Sequence, residues 1–304
     1  MNQTVSHLVV DHLPPALKID EIGWQAFLQK WNDQILSLVK KQVLTYEQDF
    51  DWVKRFLQQN NVEYQEDLLS GRISYPSETD LDKKNADQLL NYIVKAIYFR
   101  KKSRTKEIQI VGGNDLIDEV LLNNGLLFPP ADKSVIDALE RRLQVTLPES
   151  YKEFLQVSNG MLNVYGRLLP DNEVDWLRIR DKETMETWWI EGDEPDEEVP
   201  DVGYFSYEAN DVFGNAEDTR VEYLEKCLQI GDTNQIMNAS LWLLNPVIQN
   251  GPNDWECWVW NPGDPSVPRY RNFKEMMEIR YRIDVASLKI DLLYLEEEFN
   301  QRSS

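Results

Sequence analysis

LLFPPADKSVIDALERRLQVTLPESYKEFLQVSNG, residues Leu126–Gly160, reads as two helices with their punctuation in place. Pro129-Pro130 ends whatever precedes it. Asp132 is placed to cap a new helix, because its short carboxylate accepts hydrogen bonds from the first unpaired amides. Val135, Ile136, Leu139 and Leu143 recur at helical spacing and predict one apolar face. Leu147-Pro148 breaks that helix, and Pro148 suits the first position of the next, where no amide hydrogen is needed. Tyr151, Phe154 and Leu155 give the second helix its buried face. Asn159-Gly160 stops it, since both residues tolerate a left-handed backbone.

Towards the N-terminus the texture is helical. Residues 1–18 read as an arm without regular structure, stiffened at its end by Pro14-Pro15. Trp24, Phe27, Leu28, Trp31, Ile35, Leu38 and Val39 predict one helix, and Tyr46, Phe50, Val53 and Leu57 a second. Gly, Pro and Ser signals make Arg72–Asp82 a loop. A third helix is expected around Ala86–Arg100, a short strand at Ile108–Val111 and a short helix around Leu116–Leu121. Residues 19–125 therefore read as a mostly helical domain that ends at Asn124-Gly125.

Towards the C-terminus short β segments take over. Leu168–Pro170, Val174–Leu177, Leu228–Ile230, Leu241–Leu244 and Trp255–Trp260 read as strands separated by Gly, Asn, Asp and Pro clusters. WECWVW, Trp255–Trp260, is dense in β-favouring aromatic residues. Phe273, Met276 and Met277 open a return to helix, and Val285, Leu288, Leu292, Leu295 and Phe299 form a final amphipathic helix. Helices around a set of short strands, without βαβ alternation, predict an α+β domain over residues 126–304.

Composition narrows the function classes. Acidic residues number 53 against 32 basic ones, a formal net charge of −21. Such a field repels phosphate, which argues against nucleic acid and anionic membranes as partners and suits a basic protein. No apolar run is long enough to span a bilayer, and MNQTVSHLVVDHLPP lacks the layout of a secretory signal. Cys227 and Cys257, the two cysteines, read as packed, reduced thiols, so a cytoplasmic location is expected.

The residues of chemistry are sparse where catalysis needs them. His7 and His12 are the two histidines, and both lie in the arm, so neither a histidine triad nor a His/Cys zinc site is expected. Gly112-Gly113 is followed by no lysine at phosphate-loop spacing, and no dinucleotide fingerprint follows a strand. No cofactor is expected. Carboxylates are plentiful enough to keep a carboxylate hydrolase open as an alternative. The most informative polar feature is a loop in which Glu191, Asp193, Glu194, Asp196, Glu197, Glu198 and Asp201 follow Trp188 and Trp189. Charge of one sign beside aromatic anchors is what fast, selective protein binding uses, so Trp188, Trp189 and the carboxylates from Glu191 to Glu198 are the candidate protein-binding residues. A solvated, self-repelling loop is the plainer alternative. Arg100, Lys101, Lys102, Arg104 and Lys106 form a basic cluster, read as a helix end complementing its dipole.

An ordered set of segments carries a family resemblance. After LPESYKEFLQVSNG come GYFSYEAND at Gly203–Asp211, TRVEYLEKCLQIGD at Thr219–Asp232, LLNP at Leu243–Pro246, DWECWVWNPGD at Asp254–Asp264 and RYRNFKEMM at Arg269–Met277. Residues 126–281 thus resemble the SUKH superfamily, also called the Smi/Knr family. The resemblance implies helices packed on a mainly antiparallel sheet, with a C-terminal helix completing residues 126–304. It implies a binding fold without catalytic residues: bacterial members are typically immunity proteins that neutralise polymorphic toxins, often nucleases, and fungal members include regulators of cell-wall synthesis and signalling. The expectation is therefore a non-enzymatic, cytoplasmic protein that binds a basic toxin domain, with a regulatory scaffold as the alternative. Residues 19–125 go beyond what a minimal immunity protein would need.

Overall fold

The structure is a computed structural model that describes residues 9–59, 65–67, 72–74, 120, 123–163, 166–182, 201–205, 207, 220–232, 240–251, 253–260 and 267–303. In chain order these form α1 (Ile19–Ile22), α2 (Trp24–Gln59), β1 (Gln65–Asp67), β2 (Arg72–Ser74), α3 (Lys133–Leu143), α4 (Glu149–Leu155), β3 (Met161–Asn163), β4 (Gly166–Leu168), β5 (Asp175–Trp176), α5 (Leu177–Arg180) and α6 (Asp201–Tyr204). A 3-10 helix at Val221–Lys226 then precedes β6 (Leu228–Asp232), β7 (Leu241–Gln249), β8 (Trp255–Trp260), β9 (Arg269–Tyr270) and α7 (Phe273–Ser303). The chain divides into two compact units, one of Met1–Ile35 with Gly112–Ser287 and one of Leu36–Val111 with Leu288–Ser304.

The first unit is α+β, with helices on an antiparallel sheet. Strand order is β3-β4-β6-β7-β8-β9, and β5 pairs separately with β6. Every pairing is antiparallel. The β7–β8 ladder opposes Leu241 to Trp260, Leu243 to Trp258 and Asn245 to Glu256. Side chains alternate along a strand. Leu241, Leu243, Trp258 and Trp260 therefore share one face, where they join Leu177, Tyr204, Leu224, Cys227 and Val267 in a buried core. Trp242, Leu244, Cys257 and Val259 take the other face, and all six residues of β8 are buried. Covering a strand on both sides is what its aromatic and apolar residues, five of the six, require.

A second aromatic cluster comes from helices. Trp24 and Phe27 of α2 meet Phe154, Phe273 and Tyr281, with ring centroids 5.6–5.7 Å apart, and Trp31 lies 5.9 Å from Tyr281. The tail of the arm is fastened to α7. Glu278 accepts from the Ile19 amide at 2.8 Å and pairs with Lys18 at 2.6 Å, and Arg282 Nε donates to the Pro14 carbonyl. In the second unit, β1 and β2 form an antiparallel hairpin and Lys41 pairs with Glu296.

The opening stretch folds much as its punctuation predicts. Asp132 caps α3 by accepting from the Val135 amide at 3.1 Å. Helix α3 closes earlier than Leu147-Pro148, through Gln144 in the left-handed conformation. Pro148 stands at the N-cap of α4 rather than at its first position. Other expectations change: residues 9–11, read as part of an arm without regular structure, are helical, and Arg72–Ser74, read as loop, is strand β2. The paired helices predicted on either side of residues 40–45 are one helix, Trp24–Gln59, and the two C-terminal segments are one helix, Phe273–Ser303. Neither span holds a Gly or Pro, so nothing in the backbone stops helix propagation where the apolar pattern changes phase. The predicted elements between Ala86 and Leu116 lie outside the described residues.

Gly160 ends the stretch at φ +94°. A methyl group there would sit 2.8 Å from the Leu168 carbonyl oxygen and 2.9 Å from the Phe128 ring. Gly160→Ala therefore combines backbone strain with a clash against main chain. It should cost roughly 2 kcal/mol or more, read as a lowered urea midpoint at unchanged slope; an unchanged midpoint would refute this account of the turn.

Candidate functional site

Trp188, Trp189, Glu191, Asp193, Glu194, Asp196, Glu197 and Glu198 lie outside the described residues, as does the basic cluster Arg100–Lys106. The structure does describe the chain on either side of the acidic stretch. Before it, Arg180 at the end of α5 is 3.4 Å from Asp232 and 3.6 Å from Glu173, and donates to the Glu173 carbonyl at 2.6 Å. Arg167 completes this network, 3.2 Å from Asp232 and 3.0 Å from Glu173. After the stretch, Asp201 at the start of α6 pairs with Arg220 at 2.6 Å. Both flanks are thus fixed by charge-assisted hydrogen bonds to the sheet or its neighbours.

The strongest fixture lies just beyond Asp201. Residues 201–205 and 207 form a strap over the Trp258 face of the sheet, held by Glu256. That carboxylate is fully buried on β8. Tyr204 Oη donates to Oε2 at 2.6 Å and Tyr207 Oη to Oε1 at 2.6 Å. Trp258 Nε1 and Asn245 Nδ2 donate to Oε2 at 2.7 and 3.1 Å. Arg269 Nη1 donates to Oε1 at 3.2 Å, and its side chain is only 3% exposed. A carboxylate offers about four lone-pair directions and no donor, so donors alone can satisfy it. Asn250 Nδ2 adds a hydrogen bond to Tyr207 Oη at 2.9 Å.

The strap's rings stack on charge. The Tyr204 ring centroid is 4.0 Å from the Arg269 guanidinium and 4.4 Å from that of Arg220. Burial, then the adjacent Glu256, push the Tyr204 and Tyr207 phenols well above their ordinary range. Burial also raises Tyr270, to about 12. The Cys227 and Cys257 thiols are free, buried and raised by that burial.

A second buried acid, Asp284 on α7, is raised by burial and opposed by Arg280, which lies 2.9 Å away; Asn163 also donates to it. An open cavity of about 750 Å³ lies beside the start of α2, lined by Gly23, Trp24, Gln25, Glu153 and Gln156 among others. Its carboxylate is engaged by Trp24 Nε1 at 3.1 Å and Lys274 at 3.3 Å. Among the described residues no group of three His, Cys, Asp or Glu could hold a metal, and no helix is long and apolar enough to cross a membrane.

Sequence reasoning singled out the acidic loop but missed Glu256 and its tyrosines. Alternation along WECWVW does place Glu256 on the face of Trp258 and Trp260. A charged residue on a core-facing position of a buried strand is itself a sign of a satisfied partner.

Two outcomes follow. Tyr204→Phe or Tyr207→Phe leaves Glu256 short of one donor and should cost about 1–3 kcal/mol, measured by urea unfolding. The two changes combined should depart from additivity, because both hydroxyls satisfy the same carboxylate. The second outcome concerns pH. A tyrosine whose folded pKa is raised contributes stability that is complete below its ordinary value of 10 and is lost as pH rises through the folded value. For Tyr270 that window is 10 to about 12. Within it unfolding free energy should fall more steeply than in Tyr270→Phe, by about 1.4 kcal/mol per pH unit, since Tyr204 and Tyr207 contribute in both chains. Flat stability across that window would contradict the burial of this phenol.

Comparison with known families matches residues 130–279 to the SMI1 / KNR4 family (SUKH-1). Comparison with curated proteins and with solved structures yields no match. The matched span runs from the cap of α3 to the first turns of α7, and so holds the whole antiparallel sheet, the strap and Glu256. Over 150 of its 304 residues, 130–279, the chain is thus similar to the SMI1 / KNR4 family (SUKH-1).

Proposed function

We propose that this chain is a non-enzymatic protein-binding protein that acts in the cytoplasm as an immunity protein, neutralising a basic toxin domain. The observation that carries the reading is the state of Glu256. A catalytic carboxylate needs an open side toward substrate. Glu256 has none: it is fully buried and its two oxygens are taken up by five donors from the surrounding residues. The buried acid beneath the strap thus serves to hold it, which supports a role for this surface in binding. The likeness of residues 130–279 to the SMI1 / KNR4 family (SUKH-1) supports the same reading.

The acidic stretch supplies the recognition chemistry. The described residues on its flanks are held by Arg180 and by the Asp201–Arg220 pair. A field of one sign accelerates encounter with a basic partner, and aromatic side chains such as Trp188 and Trp189 supply contact area at low entropic cost.

Co-expression with a toxin domain encoded beside this chain tests the proposal. Survival of the producing cell is the expected result, and unrelieved killing by each such neighbour would overturn it. Capture of endogenous regulatory proteins without protection would instead favour a scaffold role. For the cognate complex, neutralising Glu194, Glu197 and Glu198 together should slow association by about tenfold at low salt and flatten its salt dependence, with the fold intact. Association that is unchanged at low salt would reduce this loop to solvated surface.

A further inference from the structure

An asparagine followed by glycine gives up its side-chain amide most readily, because glycine has no side chain to shield its own backbone nitrogen. The chain holds three such pairs, Asn124-Gly125, Asn159-Gly160 and Asn250-Gly251. Their surroundings differ. The Gly125 amide donates to the Val120 carbonyl at 2.9 Å. The Gly160 amide donates to the Ser158 carbonyl at 2.9 Å, and Asp171 holds both ends of the Asn159 carboxamide, at 2.6 and 2.9 Å. Gly251 is exposed, and nothing lies within 4 Å of where a side chain would begin. Its amide takes no hydrogen bond among the described residues. What restrains this pair is the asparagine: Asn250 Nδ2 donates to Tyr207 Oη at 2.9 Å and to the Arg271 carbonyl at 3.1 Å. These bonds join Asn250 to the strap. Tyr204 is buried in the core, whereas Phe205 is 43% exposed. The Tyr207 end of the strap is therefore held by its hydroxyl, shared between Glu256 and Asn250, and by Arg271 Nη2, which donates to the Tyr207 carbonyl at 3.3 Å.

We infer that Asn250-Gly251 is a deamidation site gated by the strap, and that its modification unseats the Tyr207 end of the strap for good. The Gly251 nitrogen attacks Asn250 Cγ. The bond from Cγ to Nδ2 breaks, ammonia leaves with the Gly251 amide hydrogen, and a succinimide ring remains. Water opens the ring at either carbonyl and leaves aspartate or isoaspartate. Water is the only co-reactant. The reaction expels Nδ2, so its bonds to Tyr207 and Arg271 oppose it while the strap is seated. Lifting Tyr207 removes one of them. The product cannot restore the contact. An ionised carboxylate has no donor, so it meets the Arg271 carbonyl as acceptor against acceptor and competes with Glu256 for the single Tyr207 hydroxyl hydrogen. Deamidation thus turns a transient opening of the strap into a lasting one. The inference is independent of the binding function proposed above.

The test incubates the folded full chain in mildly alkaline buffer. Digests taken at intervals are read by mass spectrometry for conversion of each Asn-Gly pair, and isoaspartate is confirmed by methyltransferase labelling. Asn250 should convert ahead of Asn124 and Asn159. Tyr207→Phe should speed conversion of Asn250 about fivefold, the factor that loss of one net hydrogen bond confers, and leave Asn159 unchanged. Asn159 reports global unfolding, so equal acceleration at both sites would overturn the gate, as would no acceleration at Asn250. Asn250 converting no faster than the other two would overturn the site. A second variant tests the consequence without removing a tyrosine. In Asn250→Asp, chymotrypsin should cut after Phe205 and Tyr207 about fivefold faster than in the unmodified chain, with the melting temperature nearly kept. Cutting at the unmodified rate would overturn the release of the strap.

Discussion

Taking a carboxylate out of water is tolerated only when donors replace the water, and Glu256 draws those donors from four parts of the chain. Trp258 comes from its own strand, Asn245 from β7, Arg269 from β9, and Tyr204 and Tyr207 from the strap. The condition is met only when all four are in place together. Strand β8 must pair with β7 so that Asn245 faces Glu256, and with β9 so that Arg269 faces Trp258. A slip of one residue in β8 would turn Glu256 to the face of Trp242 and Leu244, away from the tyrosines. The buried charge therefore specifies register where an apolar side chain would not.

A second cluster is built from aromatic rings on the helices. Trp24, Phe27 and Trp31 at the start of α2 interlock with Phe154 of α4 and with Phe273 and Tyr281 of α7. These are edge-to-face or tilted contacts, the arrangement that ring quadrupoles favour. Tyr281 keeps its hydroxyl satisfied by Gln34 at 3.0 Å. At the periphery a polar clamp takes over: Asn32 Oδ1 accepts from the Leu126 amide at 2.8 Å and occupies the space that a side chain at Gly125 would need. The two clusters do different work: ring packing joins α2, α4 and α7, and directional hydrogen bonds hold the strap.

How far these features could be read in advance depends on whether their cause is local. The cap at Asp132, the left-handed Gly160 and the aromatic strand Trp255–Trp260 follow from residues close in sequence and the structure shows each, although α4 ends at Leu155, before the Asn159-Gly160 stop that the pattern predicts. The stripe of Trp24, Phe27 and Trp31 was equally visible, but its partners Phe273 and Tyr281 are some 250 residues away, and periodicity carries no information about them. The lengths of α2 and α7 escaped because a change of apolar phase was read as a break, although no Gly or Pro enforces one. The acidic stretch was conspicuous as composition. Its anchorage was not, since Tyr204, Tyr207 and Glu256 look ordinary in sequence and become a site only when β8 passes beneath the strap. Exposed Phe205 was hidden for the same reason.

Stability alone does not account for the Glu256 network. A buried ion pair replaced by apolar side chains of similar volume is often neutral or stabilising, by about 1–4 kcal/mol, because no desolvation remains to be offset. An apolar plug at position 256 would keep Trp258 and Leu243 packed. It would not direct Tyr204 and Tyr207 to one pair of oxygen atoms, and the strap would be free to sit in several ways. Hydrogen bonds discriminate among those seats because a misplaced hydroxyl leaves a buried acceptor unsatisfied, at about 1–3 kcal/mol each. Two such hydroxyls on residues three apart fix both the height and the direction of the turn between them. Phe205 occupies that turn, so the cost of burying one carboxylate is returned as a single orientation for one exposed ring.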